Sequence, residues 1–242
     1  MELRDRLVKA MIAIAIAAAI LFFFPGPGAM YDFLAAPLVA HLPNGATLVS
    51  TSVISPFMVP LKILLMSAFL LALPFGLWQI WAFVAPGLYS HEKKLVLPLV
   101  ISSTLLFFIG VAFCYFFVFG QVFAFIQSFA PKSITAAPDI EAYLSFVLSM
   151  FLAFGLAFEV PIAVVVLARM GVVSIEKLKN FRGYFIVIAF VIAAIVTPPD
   201  VVSQLALAVP MCILYEIGIW AAQLFIKHTK APNAAEEETA SS

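Results

Sequence analysis

"FGLAFEVPIAV" runs from Phe154 to Val164. Glu159 stands at its centre with Pro161 two residues on, and every other position is apolar or glycine. The apolar run extends outward from about Ala142 to about Ala168, with Glu159 its one charged residue. That is longer than the roughly 20 residues needed to cross the hydrocarbon core of a bilayer. The fold turns on whether this run is a membrane span or a buried soluble helix.

Composition decides for the membrane. Hydrophobic residues make up 64% of the 242, charged residues 11%, and mean hydropathy is +1.14. A soluble domain carries about 25% charged residues, so this chain cannot cover a globular surface. The runs are rich in Leu, Ile, Val, Ala and Phe, without the period-two alternation of an outer-membrane barrel. The net charge of zero points to no nucleic-acid partner. Cys114 and Cys212 lie inside apolar runs and read as buried free thiols.

The runs predict six helices: Val8–Phe24, Pro60–Val84, Leu95–Ile126, Ala142–Ala168, Gly183–Val196 and Leu205–Ile226. Pro25-Gly26-Pro27-Gly28 ends the first, and a short apolar piece, Tyr31–Leu42, follows. The first run is longer than the core of a cleaved signal peptide, so it reads as a retained span. The chain thus forms one transmembrane domain over residues 1–230. An acidic, disordered cytoplasmic tail is expected over 231–242.

Eleven of the 13 Lys and Arg fall on the side of the two termini, leaving Lys62 and Lys132 for the other. By the positive-inside rule both termini are cytoplasmic. The third run would be about 48 Å long as a helix and the fifth about 21 Å, against a core of about 30 Å. A short fifth span would thin the bilayer beside it unless neighbouring helices shield it.

Two carboxylates lie within spans. Glu159 is ten residues before Arg169 and Glu216 eleven before Lys227, which puts both near mid-depth. Such residues are functional candidates by default, and the plainer alternative is a protonated carboxyl bonded to a neighbouring helix. Pro161 is expected to kink its helix and free the Ala157 carbonyl. Glu92, beside His91, Lys93 and Lys94, stands in the loop "APGLYSHEKK" (Ala85–Lys94), and Glu2 in the N-terminal "MELRDRL". Two carboxylates on one membrane face could bind a guanidinium ligand, whose planar fork pairs with carboxylate. They could equally pair with local Lys or Arg. Thr197 and Gln204, flanking "TPPD" (Thr197–Asp200), could bond a partner helix or be satisfied within their loop. No P-loop, no intramembrane Ser–His pair and no metal-ligand spacing is present, as His41, His91 and His228 lie in loops or at span ends. No enzyme, metal or cofactor is expected, and energy for any work would come from the membrane potential. A proton-coupled small-solute transporter using Glu159 and Glu216 is the competing reading, although no internal repeat supports it.

"ELRDRL", "SPFMVPLK", "WAFVAPGLYSHEKK", "FGLAFEVP" and "TPPDVVSQLALAVPMCILYE" together cover nearly the whole chain. In these motifs the sequence resembles the TatC family, the multi-spanning core subunit of the twin-arginine protein translocase. The family's tail usually reads His-Leu-x-Glu-Leu-Arg, and the residues before Glu2 are lacking here. The resemblance implies an all-α, concave, cup-like six-helix bundle with short fifth and sixth helices, in the bacterial inner membrane. It implies a receptor for twin-arginine signal peptides of folded precursors, driven by the proton-motive force. Glu2, Arg4, Phe83, Pro86, Leu88, Tyr89 and Glu92 match signal-peptide positions. Glu159 matches the fourth-span acid, Thr197 and Gln204 a docking patch for single-span TatA- and TatB-type partners, and Pro37 and Asp200 positions on the outer side. A multi-copy complex in contact with membrane lipid is implied as well.

Overall fold

The computed structural model describes residues 2–39, 49–84, 96–129, 139–197 and 200–229. Nearly all of these are helical, as a chain without water around its backbone must be. The helices are α1 (Glu2–Phe23), α2 (Pro27–Val39), α3 (Ser55–Val84), α4 (Val96–Phe113), α5 (Phe119–Phe129), α6 (Ile140–Phe158), α7 (Val160–Arg169), α8 (Ile175–Asn180), α9 (Arg182–Val196) and α10 (Val201–Thr229). A π-helical turn, Cys114–Val118, joins α4 to α5 in one continuous rod. Tail residues 231–242 lie outside the described residues.

Five stretches are long and apolar enough to cross a membrane: Arg4–Phe23, Ser55–Ala82, Leu97–Phe125, Ile140–Arg169 and Val201–Leu224. Helix α9 is apolar but has 15 residues, about 22 Å of helix against a core of about 30 Å.

The sixth helix departs from expectation. It is not short: α10 has 29 residues, beginning at Val201 rather than Leu205. The Asp200 carboxylate accepts the Ser203 N–H at 2.7 Å and so caps a turn that composition alone leaves polar. The second span likewise begins five residues early, at Ser55, with Pro60 and Pro74 inside the helix. The short apolar piece is a helix over Pro27–Val39.

The fourth run is not one kinked helix. Glu159 is a turn residue between α6 and α7, and Pro161 falls in the first turn of α7. A proline there costs little, because its missing N–H would have had no helical partner. The Glu159 N–H donates to the Leu156 carbonyl at 3.1 Å.

The main core is built where α3, the α4–α5 rod, α6, α9 and α10 meet. Ile63, Val118, Phe119, Val147, Phe154 and Leu207 are fully buried in it. Close approach depends on glycines, Gly155 and Gly218 among them. A Cβ on Gly155 would stand 2.3 Å from the Phe107 ring, and one on Gly218 2.9 Å from Pro161 Cα. These positions bring α4 against α6 and α10 against α7. Helix α1 is peripheral and packs on α3 through small side chains, with Ala17 against Ala68 and Ala72.

Candidate functional site

The break at Glu159 is the polar point of the bundle's interior. The Glu159 side chain is half-buried, and its Oε1 is fully buried with no hydrogen bond among the described residues. The Ser103 hydroxyl, from α4, is a polar neighbour of this carboxyl. Ser103 is itself buried and accepts the Trp81 Nε1–H of α3 at 3.0 Å. Trp81, Ser103 and Glu159 therefore form a polar line across three spans, ending on a carboxyl oxygen with acceptor capacity left. Ser103 and Trp81 were not singled out by the sequence reading. A hydroxyl in the apolar run "LPLVISSTLLFF" (Leu97–Phe108) is the signal that could have found Ser103.

Glu216 is differently placed. Arg182, the first residue of α9, grips it with Nε 2.6 Å from Oε1 and Nη2 2.7 Å from Oε2. A bidentate guanidinium–carboxylate pair satisfies both carboxyl oxygens. The neighbouring Tyr215 stacks on Phe185 at 4.0 Å and donates its hydroxyl to the Leu178 carbonyl at 2.9 Å. Residues 215 and 216 thus fasten the terminus-side end of the short α9, and α8 with it, to α10. Glu159 and Glu216 have separate partners, which removes the support for a shared proton relay.

At the other end of α9 the Thr197 hydroxyl donates to the Ala193 carbonyl at 2.8 Å and is buried. Thr197 adopts an extended backbone conformation (φ −93°, ψ 156°), as a residue before proline favours. The Gln204 Nε2 lies 3.5 Å from the Phe190 carbonyl, a long bond. Among the described residues Gln204 thus has most of its hydrogen-bonding capacity in hand. Asp200 caps α10 through Oδ1, while its Oδ2 is buried without a partner among the described residues.

A second polar cluster, missed by the sequence reading, lies on the face opposite the termini. Lys62 Nζ stands 2.7 Å from Glu141 Oε1, and the Ser55 hydroxyl donates to Oε2 at 2.6 Å. Asp139 caps α6 by accepting the Glu141 and Ala142 N–H groups at 2.9 Å. It also accepts the hydroxyl and, at 3.1 Å, the N–H of Thr51. The Thr51 hydroxyl and then the Ala142 N–H hold the Asp139 carboxyl down to about 2. Lys62 is one of the two cations that the charge count left on this face, and the cluster ties the start of α3 to the start of α6.

Of the signal-peptide positions, Arg4 is exposed at the start of α1, 3.4 Å from Asp5. Glu2 opens α1, Phe83 lies in the last turn of α3 and Pro37 in α2, with side chains outside the described residues. Pro86, Leu88, Tyr89 and Glu92 lie outside the described residues altogether.

Residues 1–210 match the sequence profile of the Sec-independent protein translocase protein TatC. The chain is 51% identical over 237 residues to the Sec-independent protein translocase protein TatC of Halothiobacillus neapolitanus, covering 98% of this chain and 64% of that one. It is 46% identical over 225 residues to the corresponding protein of Escherichia coli, covering 93% and 86%. A crystal structure of the twin arginine translocase receptor TatC superposes with a TM-score of 0.81 at 42% identity, covering 92% of this chain and 97% of that one. The chain spans about two thirds of the length of the first relative and most of the second. With the profile matching most of the chain and the fold shared with a solved relative, the chain belongs to the TatC family of protein translocase components, which are not enzymes.

Proposed function

We propose that the chain is the receptor subunit of a twin-arginine translocase. The observation that carries this reading is the likeness of the whole chain to the solved twin arginine translocase receptor. In this reading the five long apolar helices and the shorter α9 make six spans, with both termini cytoplasmic in the bacterial inner membrane. The bias of 11 in 13 basic residues supports that orientation. Glu92 and Glu2 read the arginine pair of a signal peptide at that face, with Arg4, Phe83, Pro86, Leu88 and Tyr89 around them.

The apolar part of the peptide then enters the concave side of the bundle. There the spare acceptor of Glu159 takes a donor from the peptide or from a partner helix. TatA- and TatB-type single-span partners dock along α9 and α10, near Thr197 and Gln204, in a multi-copy complex. A short α9 thins the adjoining bilayer, and the proton-motive force drives a folded precursor across. Pro37 and Asp200 shape the opposite face.

Site-specific photo-crosslinking from residues 90–94 tests the reading, using a twin-arginine precursor and a twin-lysine control. Crosslinks to the first and not the second are expected. Equal labelling of both would remove the receptor role.

A further inference from the structure

Helix α1 packs on α3 around Ala17, Ala68 and Ala72. Towards the start of α1 the two helices leave a recess of about 440 Å³. Its walls are Ala10, Met11 and Ile14 of α1 and Phe69, Leu73 and Gly76 of α3, with Arg6 and Gln79 at the end nearest the N-terminus. A Cβ on Gly76 would meet nothing within 4 Å, so the space is open rather than filled by a neighbour. Leu7 and Met11 on its rim are 61% and 62% exposed, so the recess opens sideways, where acyl chains lie in a membrane.

Its size limits the occupant. From residue 6 to residue 14 it follows α1 for about 12 Å, less than half the hydrocarbon core of about 30 Å. A single acyl chain from one leaflet fits.

Charge limits it further. The Arg6 guanidinium is half-buried, and its partner is the Gln79 amide oxygen at a long 3.5 Å. Among the described residues it has no ion pair with a carboxylate, whereas Arg4 has Asp5. A guanidinium with four N–H groups to spare, at the mouth of an apolar slot, matches a phosphate with a hydrocarbon tail. An arginine side chain placed in the recess would meet the like charge of Arg6.

We infer that the α1–α3 recess binds an anionic phospholipid of the leaflet in which α1 begins, its phosphate on Arg6 and one acyl chain against Gly76. The inference stands apart from the receptor role, because it needs neither a signal peptide nor a partner subunit.

Native mass spectrometry of the full chain tests it, with palmitoyl-oleoyl phosphatidylglycerol and palmitoyl-oleoyl phosphatidylcholine in equal amounts. The wild type should retain phosphatidylglycerol preferentially. Arg6→Gln should cut that preference about tenfold, the loss expected for one charge-assisted bond. Arg6→Lys should keep most of it, and Lys9→Gln, off the recess, should leave it unchanged. Gly76→Leu, whose Cβ enters open space, should reduce retention of both lipids. Equal retention of the two lipids by the wild type would overturn the inference, as would an undiminished preference in Arg6→Gln. So would a Met11→benzoylphenylalanine variant that captures a twin-arginine peptide in place of phosphatidylglycerol.

Discussion

Arg182 at the start of α9 and Glu216 in α10 form a two-pronged ion pair, with Nε–Oε1 2.6 Å and Nη2–Oε2 2.7 Å. The pair sits at the terminus-side end of the 15-residue helix α9, its members 34 residues apart in sequence. A helix too short to anchor itself by hydrophobic length is held instead by charge. Together with the Phe185–Tyr215 stack, the pair sets where α9 starts relative to α10.

Breaking both sides of this pair should therefore cost less than the two single losses added together. Glu216→Gln and Arg182→Gln should each lower stability by about 1–3 kcal/mol, between the values for exposed and buried pairs. The double variant should lose less than the sum of the two, because neither charge is then stranded. Thermal unfolding in detergent of the four proteins gives the cycle. Additive losses would show that the two side chains do not act on each other.

At Glu159 the spare Oε1 acceptor makes a distinction between substitutions. Glu159→Gln keeps an acceptor oxygen and removes only the charge, so export of a folded twin-arginine reporter should remain substantial. Glu159→Lys places a cation at mid-depth, at about 2.5–3.5 kcal/mol, and should abolish export. Ser103→Ala removes the neighbour that orients the carboxyl and should fall between the two. Equal loss in the Gln and Lys variants would mean that the ionised carboxylate itself is needed.

The spans were legible because a bilayer sets a length of apolar sequence that no other environment demands. Pro161 marked the interruption beside Glu159, although it opens a new helix rather than kinking an old one. The start of α10 was hidden because Ser203 and Gln204 look like loop residues until the Asp200 cap is seen. The pairs Arg182–Glu216 and Lys62–Glu141 join residues 34 and 79 positions apart. Local spacing carries no trace of such contacts. Ser103 was hidden for the same reason, since its partners Trp81 and Glu159 lie on two other helices.

The contact of Gly155 with Phe107 gives a packing prediction. Gly155→Ala drives a methyl group into a ring 2.3 Å away, in a core that has no spare volume. A loss of about 1–3 kcal/mol is expected for such overpacking. Phe107→Leu in the same chain should return part of it by making room. Thermal melts of the single and double variants measure this, and no recovery in the double would place the strain elsewhere.

Glu92 is tested by charge reversal. Glu92→Lys should abolish capture of a twin-arginine precursor, with at least a tenfold loss of about the size that one charge-assisted bond supplies. Membrane insertion of the variant should be normal. Co-purification of precursor with the detergent-solubilised complex reads the effect. Undiminished capture by a correctly inserted Glu92→Lys protein would exclude Glu92 from the recognition site.

The Asp139 cluster makes stability depend on acidity in a defined window. The Thr51 hydroxyl and the N–H groups of Ala142, Thr51 and Glu141 stabilise the ionised form, so the folded carboxyl titrates near 2. In an unfolded chain an aspartate titrates near 3.9. The folded state therefore binds the proton less readily, and ionised Asp139 contributes its full stabilisation above about pH 4. As pH falls from about 4 towards 2 the unfolded chain takes up the proton first and the contribution is lost. Thermal stability in detergent should thus be insensitive to this group from pH 7 to about 5 and decline below about 4. Thr51→Val removes the largest of the stabilising contacts and should narrow the window from its acid end. Asp139→Asn should lose this component of the pH dependence while leaving the remainder of the curve. A decline of equal depth in Asp139→Asn would assign the acid sensitivity to another carboxylate.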